Sequence, residues 1–187
     1  MRERKRRKKK APPSPYRWAL IVFFLAVTVS AALSLTSEFL LSGAGIASAA
    51  AVLLTFIALG IVFDVIGVSA TAADPRPLNS MASHKERGAK EALRLVRNAS
   101  RVSSVCNDVV GDICGIVSGV TGAVIVTRLH QAFGADTSLL SVGVTALISG
   151  LTIGGKALSK TFAIRRGTDV IYWVGRFLYL FRRRKRR

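Results

Sequence analysis

Asp64, Asp108, Asp112 and Lys156 stand inside stretches that are otherwise apolar enough to lie in a lipid bilayer. An ionisable side chain near a bilayer centre costs roughly 2.5–3.5 kcal/mol on insertion scales, so each should face a polar partner, water or an ion. Carboxylates, together with the amide of Asn107 and nearby serine hydroxyls, supply the oxygen ligands that hard cations prefer. The same residues also suit a structural role, in which Lys156 pairs with an aspartate and holds helices together. The residues alone leave both readings open.

The elements that must position these groups follow from hydropathy. Apolar runs over 18–35, 46–70, 102–126 and 139–156, the last running on to 163, each have the length of a transmembrane helix. The first run, at 18 residues, exceeds a signal-peptide core of about 7–15 residues, so it is expected to be retained. Asp74-Pro75-Arg76-Pro77 is expected to stop helix geometry after the second span. Over 79–101, Ser83 and Glu86 have capping-box spacing, and Ala89, Ala92, Leu93 and Val96 share a face opposite six basic residues. This predicts an amphipathic helix lying along the membrane. A second such helix is expected from Thr168 to Phe181, with Tyr172, Trp173 and Tyr179 suited to the interface and Arg176 interrupting an apolar run too short to cross. The fold class is therefore an all-α integral membrane protein, with four transmembrane helices and two juxtamembrane amphipathic helices.

Charge sets the expected topology. The chain of 187 residues has a net charge of +18, with nine Lys/Arg in residues 1–17 and an Arg-Arg-Arg-Lys-Arg-Arg run at 182–187. Those ends and the 74–101 loop hold nearly all the basic residues, while the loops at 36–45 and 127–137 hold only Arg128. The positive-inside rule then places both termini in the cytoplasm. The basic ends, read as disordered tails, are expected to meet anionic lipids rather than nucleic acid. Asn98-Ala99-Ser100 has the form of a glycosylation sequon, but it falls on the cytoplasmic side.

Small and polar residues recur within the spans at helical spacing, the pattern by which membrane helices pack. The second span carries Gly60, Asp64, Gly67 and Thr71. The third carries Ser104, Asp108, Gly111, Asp112, Gly115, Gly119 and Gly122, with Asn107 at the border and a close-packing series in Gly111, Gly115 and Gly119. The fourth carries Ser141, Thr145, Ser149, Thr152, Lys156 and Ser159. All four charges then fall at a similar depth, towards the cytoplasmic side. No enzyme is expected: His84 and His130 fall on opposite sides of the membrane, and neither a catalytic triad nor a phosphate-binding loop is present. Cys106 and Cys114 are roughly 12 Å apart along a straight helix, too far to pair, and read as small buried residues.

From about Ile61 to Phe181 the chain resembles the transmembrane domain of the CNNM and CorB/CorC magnesium and cobalt transporters. Gly88-Ala89-Lys90-Glu91-Ala92-Leu93-Arg94-Leu95, followed by Asn98 to Ser104, resembles that family's linker into its second span. Asn107 falls where the family has the first asparagine of its ion-site segment. Gly155-Lys156-Ala157-Leu158-Ser159-Lys160-Thr161-Phe162-Ala163 resembles its Gly-Glu-Ile-Leu-Pro-Lys-Thr segment. The pattern departs where Lys156 replaces the ligand glutamate, Ser159 the proline, and Gly111 or Asp112 the second asparagine. Asp64 falls in the segment that replaces the family's serine-rich motif. The extra helix at 18–35 precedes the transmembrane domain, 46–181, that holds the resembling part, and the module is expected to be without the family's nucleotide-binding CBS pair.

The resemblance implies a divalent-cation (Mg²⁺ or Co²⁺) transporter-like module in a bacterial plasma membrane, as a homodimer. Asp64, Asn107, Asp108 and Asp112 would bind the ion, with Asp64, Asn107 and Asp112 as direct ligands. Lys156 would be a charge gate or counter-ion, and a separate chain would supply regulation. Two other functions fit the same residues. One is a non-transporting scaffold or regulator in which Lys156 fills the cation's place, and the other is a proton or anion carrier using the Asp/Lys set as a relay.

Overall fold

The computed structural model describes residues 15–41, 45–134 and 137–184. The basic tail up to residue 14, the last three basic residues and Asp136 lie outside them. The order is α1 (Pro15–Leu41), α2 (Ile46–Ala72), α3 (Pro75–Ser83), α4 (Ala89–Arg97), α5 (Ala99–Ser103), a π-helical segment (Ser104–Gly111), α6 (Asp112–Phe133), α7 (Thr137–Arg165) and α8 (Gly167–Arg184). Four apolar helical stretches are long enough to cross a membrane: Trp18–Phe39, Ile46–Ala72, Ala99–Phe133 and Ser138–Arg165. The architecture is that of a polytopic helical membrane protein.

Each span is longer than its apolar run suggests, because hydrogen bonding carries the helix through polar flanks. Residues 15–17, expected to belong to a disordered tail, form the first turn of α1. Proline suits that position, since the N–H it lacks would have no helical partner there. The third span is a continuous rod of 35 residues. At 1.5 Å per residue it is about 52 Å long, well beyond the roughly 30 Å hydrocarbon core. Hydroxyls within the spans are satisfied locally. Thr28, Thr36 and Thr55 each donate to the carbonyl four residues earlier, which removes the cost of exposing them to lipid.

Helices α2 and α6 form the centre, α7 packs against both, and α1 makes a lighter contact with them. Val22, Ala26, Val29 and Leu33 form the stripe by which α1 meets Phe56, Val109, Ile113 and Val117. On the α7 side, Ile148 fills the space over Gly122, and Ile61 of α2 fills the space over Gly155. In each case a Cβ on the glycine would collide with the isoleucine, so small residues set the helix separation. Far from the basic flank, the Arg128 guanidinium donates to the Leu41 carbonyl (2.7 Å), and the Ser37 and Thr121 hydroxyls lie 3.4 Å apart. The basic end of α1 is held by Arg101, whose guanidinium stacks on Trp18 at 5.0 Å.

The basic flank corrects two expectations. Pro75 and Pro77 start a helix rather than end one: Asp74 caps α3 by accepting from the Arg76 N–H (2.8 Å). The next helix begins at Gly88, not at Ser83, which lies in the last turn of α3. Gly88 has φ +89°, a conformation glycine adopts without strain. It also abuts α8, where a Cβ would approach the Arg176 Cα to 2.5 Å. Gly175 of α8 mirrors it, and a Cβ there would lie 2.6 Å from the Ala92 N. Around this crossing Leu78, Ala89, Ala92 and Ile171 are all 0% exposed. Full burial of Leu78 and Ile171 contributes roughly 1.5–3 kcal/mol each. The Asp74 N–H donates to Thr168 Oγ1 (3.1 Å), and Ser69 Oγ to the Ala163 carbonyl (3.4 Å). This bracket ties the end of α2 to the junction of α7 and α8. α8 itself carries exposed Trp173, Phe177, Leu180 and Phe181 and is not among the spanning helices, as its composition indicates.

Candidate functional site

Asp64 is the one ionisable residue of the four that the fold buries, at 4% exposure. Gly60, Asp64 and Gly67 follow i, i+4, i+7 spacing, so they line the face of α2 that meets the third span. Cys114 packs over Gly60, with its Cβ 3.2 Å from where a glycine Cβ would lie, and the Gly111 carbonyl stands 3.9 Å from the same point. About two turns along α2, Cys106 and Asn107 pack over Gly67. Asp64 lies between these two notches. Its Oδ2 is buried with no hydrogen-bond partner.

Asn107 supplies the second unsatisfied oxygen. Its Oδ1 is buried without a donor, pressed into the space over Gly67, while its Nδ2 reaches Ser103 Oγ at 3.4 Å. Two buried acceptors without donors, on facing helices, are costly in any low-dielectric site. As a carboxylate oxygen and an amide oxygen both are acceptors, and each calls for a donor or a cation.

Lys156 is the built-in cation of this seam. It is half-buried, and its Nζ lies 3.6 Å from the Cβ position of Gly111, the glycine whose carbonyl faces Gly60. It therefore ends beside the α2–α6 crossing. Among the described residues no ion pair joins it to an aspartate; the pairs present are Arg94–Glu91, Arg166–Asp169 and Arg182–Glu91.

Asp108 and Asp112 do not join Asp64. Both are exposed, and Asp108 accepts from its own neighbour, Ser104 Oγ, at 2.9 Å. Among the described residues no three of His, Cys, Asp and Glu lie together as a metal-binding group. The π-helical segment explains the separation. An α-helical reading puts Ser104, Asp108 and Gly111 on one face. The wider π turns shift that register, so Cys106, Val109 and Gly111 face inward and Asp108 faces outward. Such segments are rare and concentrate at functional sites. Gly115 and Gly119 likewise lie on the exposed face, with nothing within 4 Å of a Cβ at either, whereas Gly111 does pack.

The fourth-span stripe divides in the same way. Ser141, Thr145 and Ser149 are exposed, while Thr152, Lys156 and Ser159 are half-buried. Ser103, Cys106 and Cys114 belong to the seam and were not singled out for it. The glycine notches at 60 and 67 were their only sequence signal. No family model matches the chain, and neither a curated protein nor a solved structure does.

Proposed function

We propose that the protein is a cation-handling membrane module of the divalent-cation transporter type, with Asp64 and Asn107 as its ion ligands and Lys156 as a competing internal cation. The observation that carries this reading is the pair of orphaned oxygens, Asp64 Oδ2 and Asn107 Oδ1, on facing spans. An ion pair between Lys156 and Asp64 would not account for the Asn107 oxygen. Mg²⁺ or Co²⁺ is the cargo suggested by the resemblance of 61–181 to the CNNM and CorB/CorC transporters. Under this reading Asp108 and Asp112 lie outside the seam, on a face with Gly115 and Gly119 that suits a second copy of the chain. Small residues there permit close approach. The basic flanks support a topology with both termini in the cytoplasm, and the resemblance supports a bacterial plasma membrane.

A second reading rests on Lys156 Nζ beside Gly111. If the ammonium permanently neutralises Asp64, the protein is a non-transporting scaffold or regulator. The two are separated with protein reconstituted in liposomes. Transport predicts Mg²⁺ or Co²⁺ flux that Asp64→Asn abolishes. The scaffold reading predicts no flux in the wild type and a gain of cation binding in Lys156→Glu. Flux that depends on pH and ignores Mg²⁺ would replace both with a proton carrier.

A further inference from the structure

A cleft of about 430 Å³ opens between α4 and α8, lined by Glu91, Arg94, Leu95, Leu178, Phe181 and Arg182. That volume is within the range of small-molecule sites. Its floor is aliphatic and aromatic, and its mouth is cationic. Arg94 comes from α4 and Arg182 from α8, so the two guanidiniums face the cleft from opposite walls. Both turn to one carboxylate oxygen, Glu91 Oε1, at 3.8 and 3.6 Å. Each contact is single and longer than a hydrogen bond, so most of the N–H donors of both forks remain for another acceptor. Two guanidiniums against one carboxylate also leave the mouth with a net positive charge.

We propose that this cleft holds one anionic phospholipid, with its phosphate between Arg94 and Arg182 and an acyl chain over Leu95, Leu178 and Phe181. Three observations favour a lipid. The cleft is built from the two helices that flank the spans on the basic side, where headgroups lie. α8 carries exposed Trp173, Phe177 and Leu180 and begins two residues after α7 ends at Arg165, which suits a helix lying along the bilayer surface. The floor is apolar, and a water-soluble anion would leave it uncovered. The crossing at Gly88 and Gly175 holds the two walls together, so the cleft is preformed. Its occupancy does not depend on whether the Asp64 seam carries an ion, only on α8 lying at the membrane.

The test uses the full chain purified in detergent and offered phosphatidylglycerol and phosphatidylcholine of identical acyl chains, with retained lipid read by native mass spectrometry. One phosphatidylglycerol should be retained over phosphatidylcholine by about thirtyfold, the scale expected for two basic groups at a membrane surface. Arg94→Gln combined with Arg182→Gln should remove the preference, while Arg76→Gln, on the same flank but outside the cleft, should keep it. Glu91→Gln removes the competing carboxylate and should strengthen retention, which tests the site even if the double variant folds poorly. Equal retention of both lipids, or a preference that survives the double variant, would overturn the proposal. So would full competition by glycerol phosphate at the lipid's own concentration, or displacement of the lipid by an acidic peptide, since neither uses the apolar floor.

Discussion

The amide oxygen of Asn107 occupies the space that a Cβ on residue 67 would need, so Gly67 is what admits Asn107 to the face of α2. The same glycine lies three residues from Asp64, on the same buried face of the helix. Access for the amide and burial of the carboxylate thus share one local cause, the absence of a side chain at 67.

Gly67→Ala should therefore push Asn107 out of the seam. Overpacking of this kind costs about 1–3 kcal/mol. The check is thermal unfolding in detergent beside Gly150→Ala, where a Cβ meets nothing within 4 Å. The Gly67 variant should melt lower and lose any stabilisation by Mg²⁺, and the Gly150 variant should do neither.

A larger structural effect is expected at the α4–α8 crossing. A Cβ on residue 175 would meet the Ala92 backbone nitrogen, which cannot move without its helix. Gly175→Ala should cost about 3 kcal/mol, the upper part of the overpacking range. It should also release α8, seen as new protease cleavage between residues 166 and 184.

At the far end of the bundle, Arg128 joins α6 to the last turn of α1 through the Leu41 carbonyl. Hydrogen bonds to charged groups contribute about 1.5–3 kcal/mol. Arg128→Ala should lower stability by that order, and Arg128→Lys, which keeps a donor, should lose less. Equal losses in the two would show that packing of the side chain matters more than its bond.

Most of the architecture was legible in the sequence because it depends on hydropathy and charge, which act over whole segments. The four long apolar helices, a separate α8 after them and the buried run of Gly60, Asp64 and Gly67 all follow from period and composition. What was not legible depends on local hydrogen bonding. Asp74 caps α3 and turns the Pro75–Pro77 segment into a helix start. The π-helical segment at Ser104–Gly111 changes the register of the third span, so Asp108 leaves the face that α-helical spacing assigns to it. No proline in that segment announces the change. The positions of Asp112, Gly115 and Gly119 relative to the seam follow from that register and from the placement of α1 and α7, which are tertiary facts.

The most direct test of the cation site is the Mg²⁺ dependence of thermal unfolding in the wild type, Asp64→Asn and Lys156→Glu. A ligand that binds only the folded state raises stability by about 2.7 kcal/mol at one hundred times its dissociation constant. The account predicts a saturable rise in melting temperature for the wild type, a stronger response at lower Mg²⁺ for Lys156→Glu, and none for folded Asp64→Asn. An identical Mg²⁺ response in the wild type and Asp64→Asn, or no response in the wild type, would contradict it.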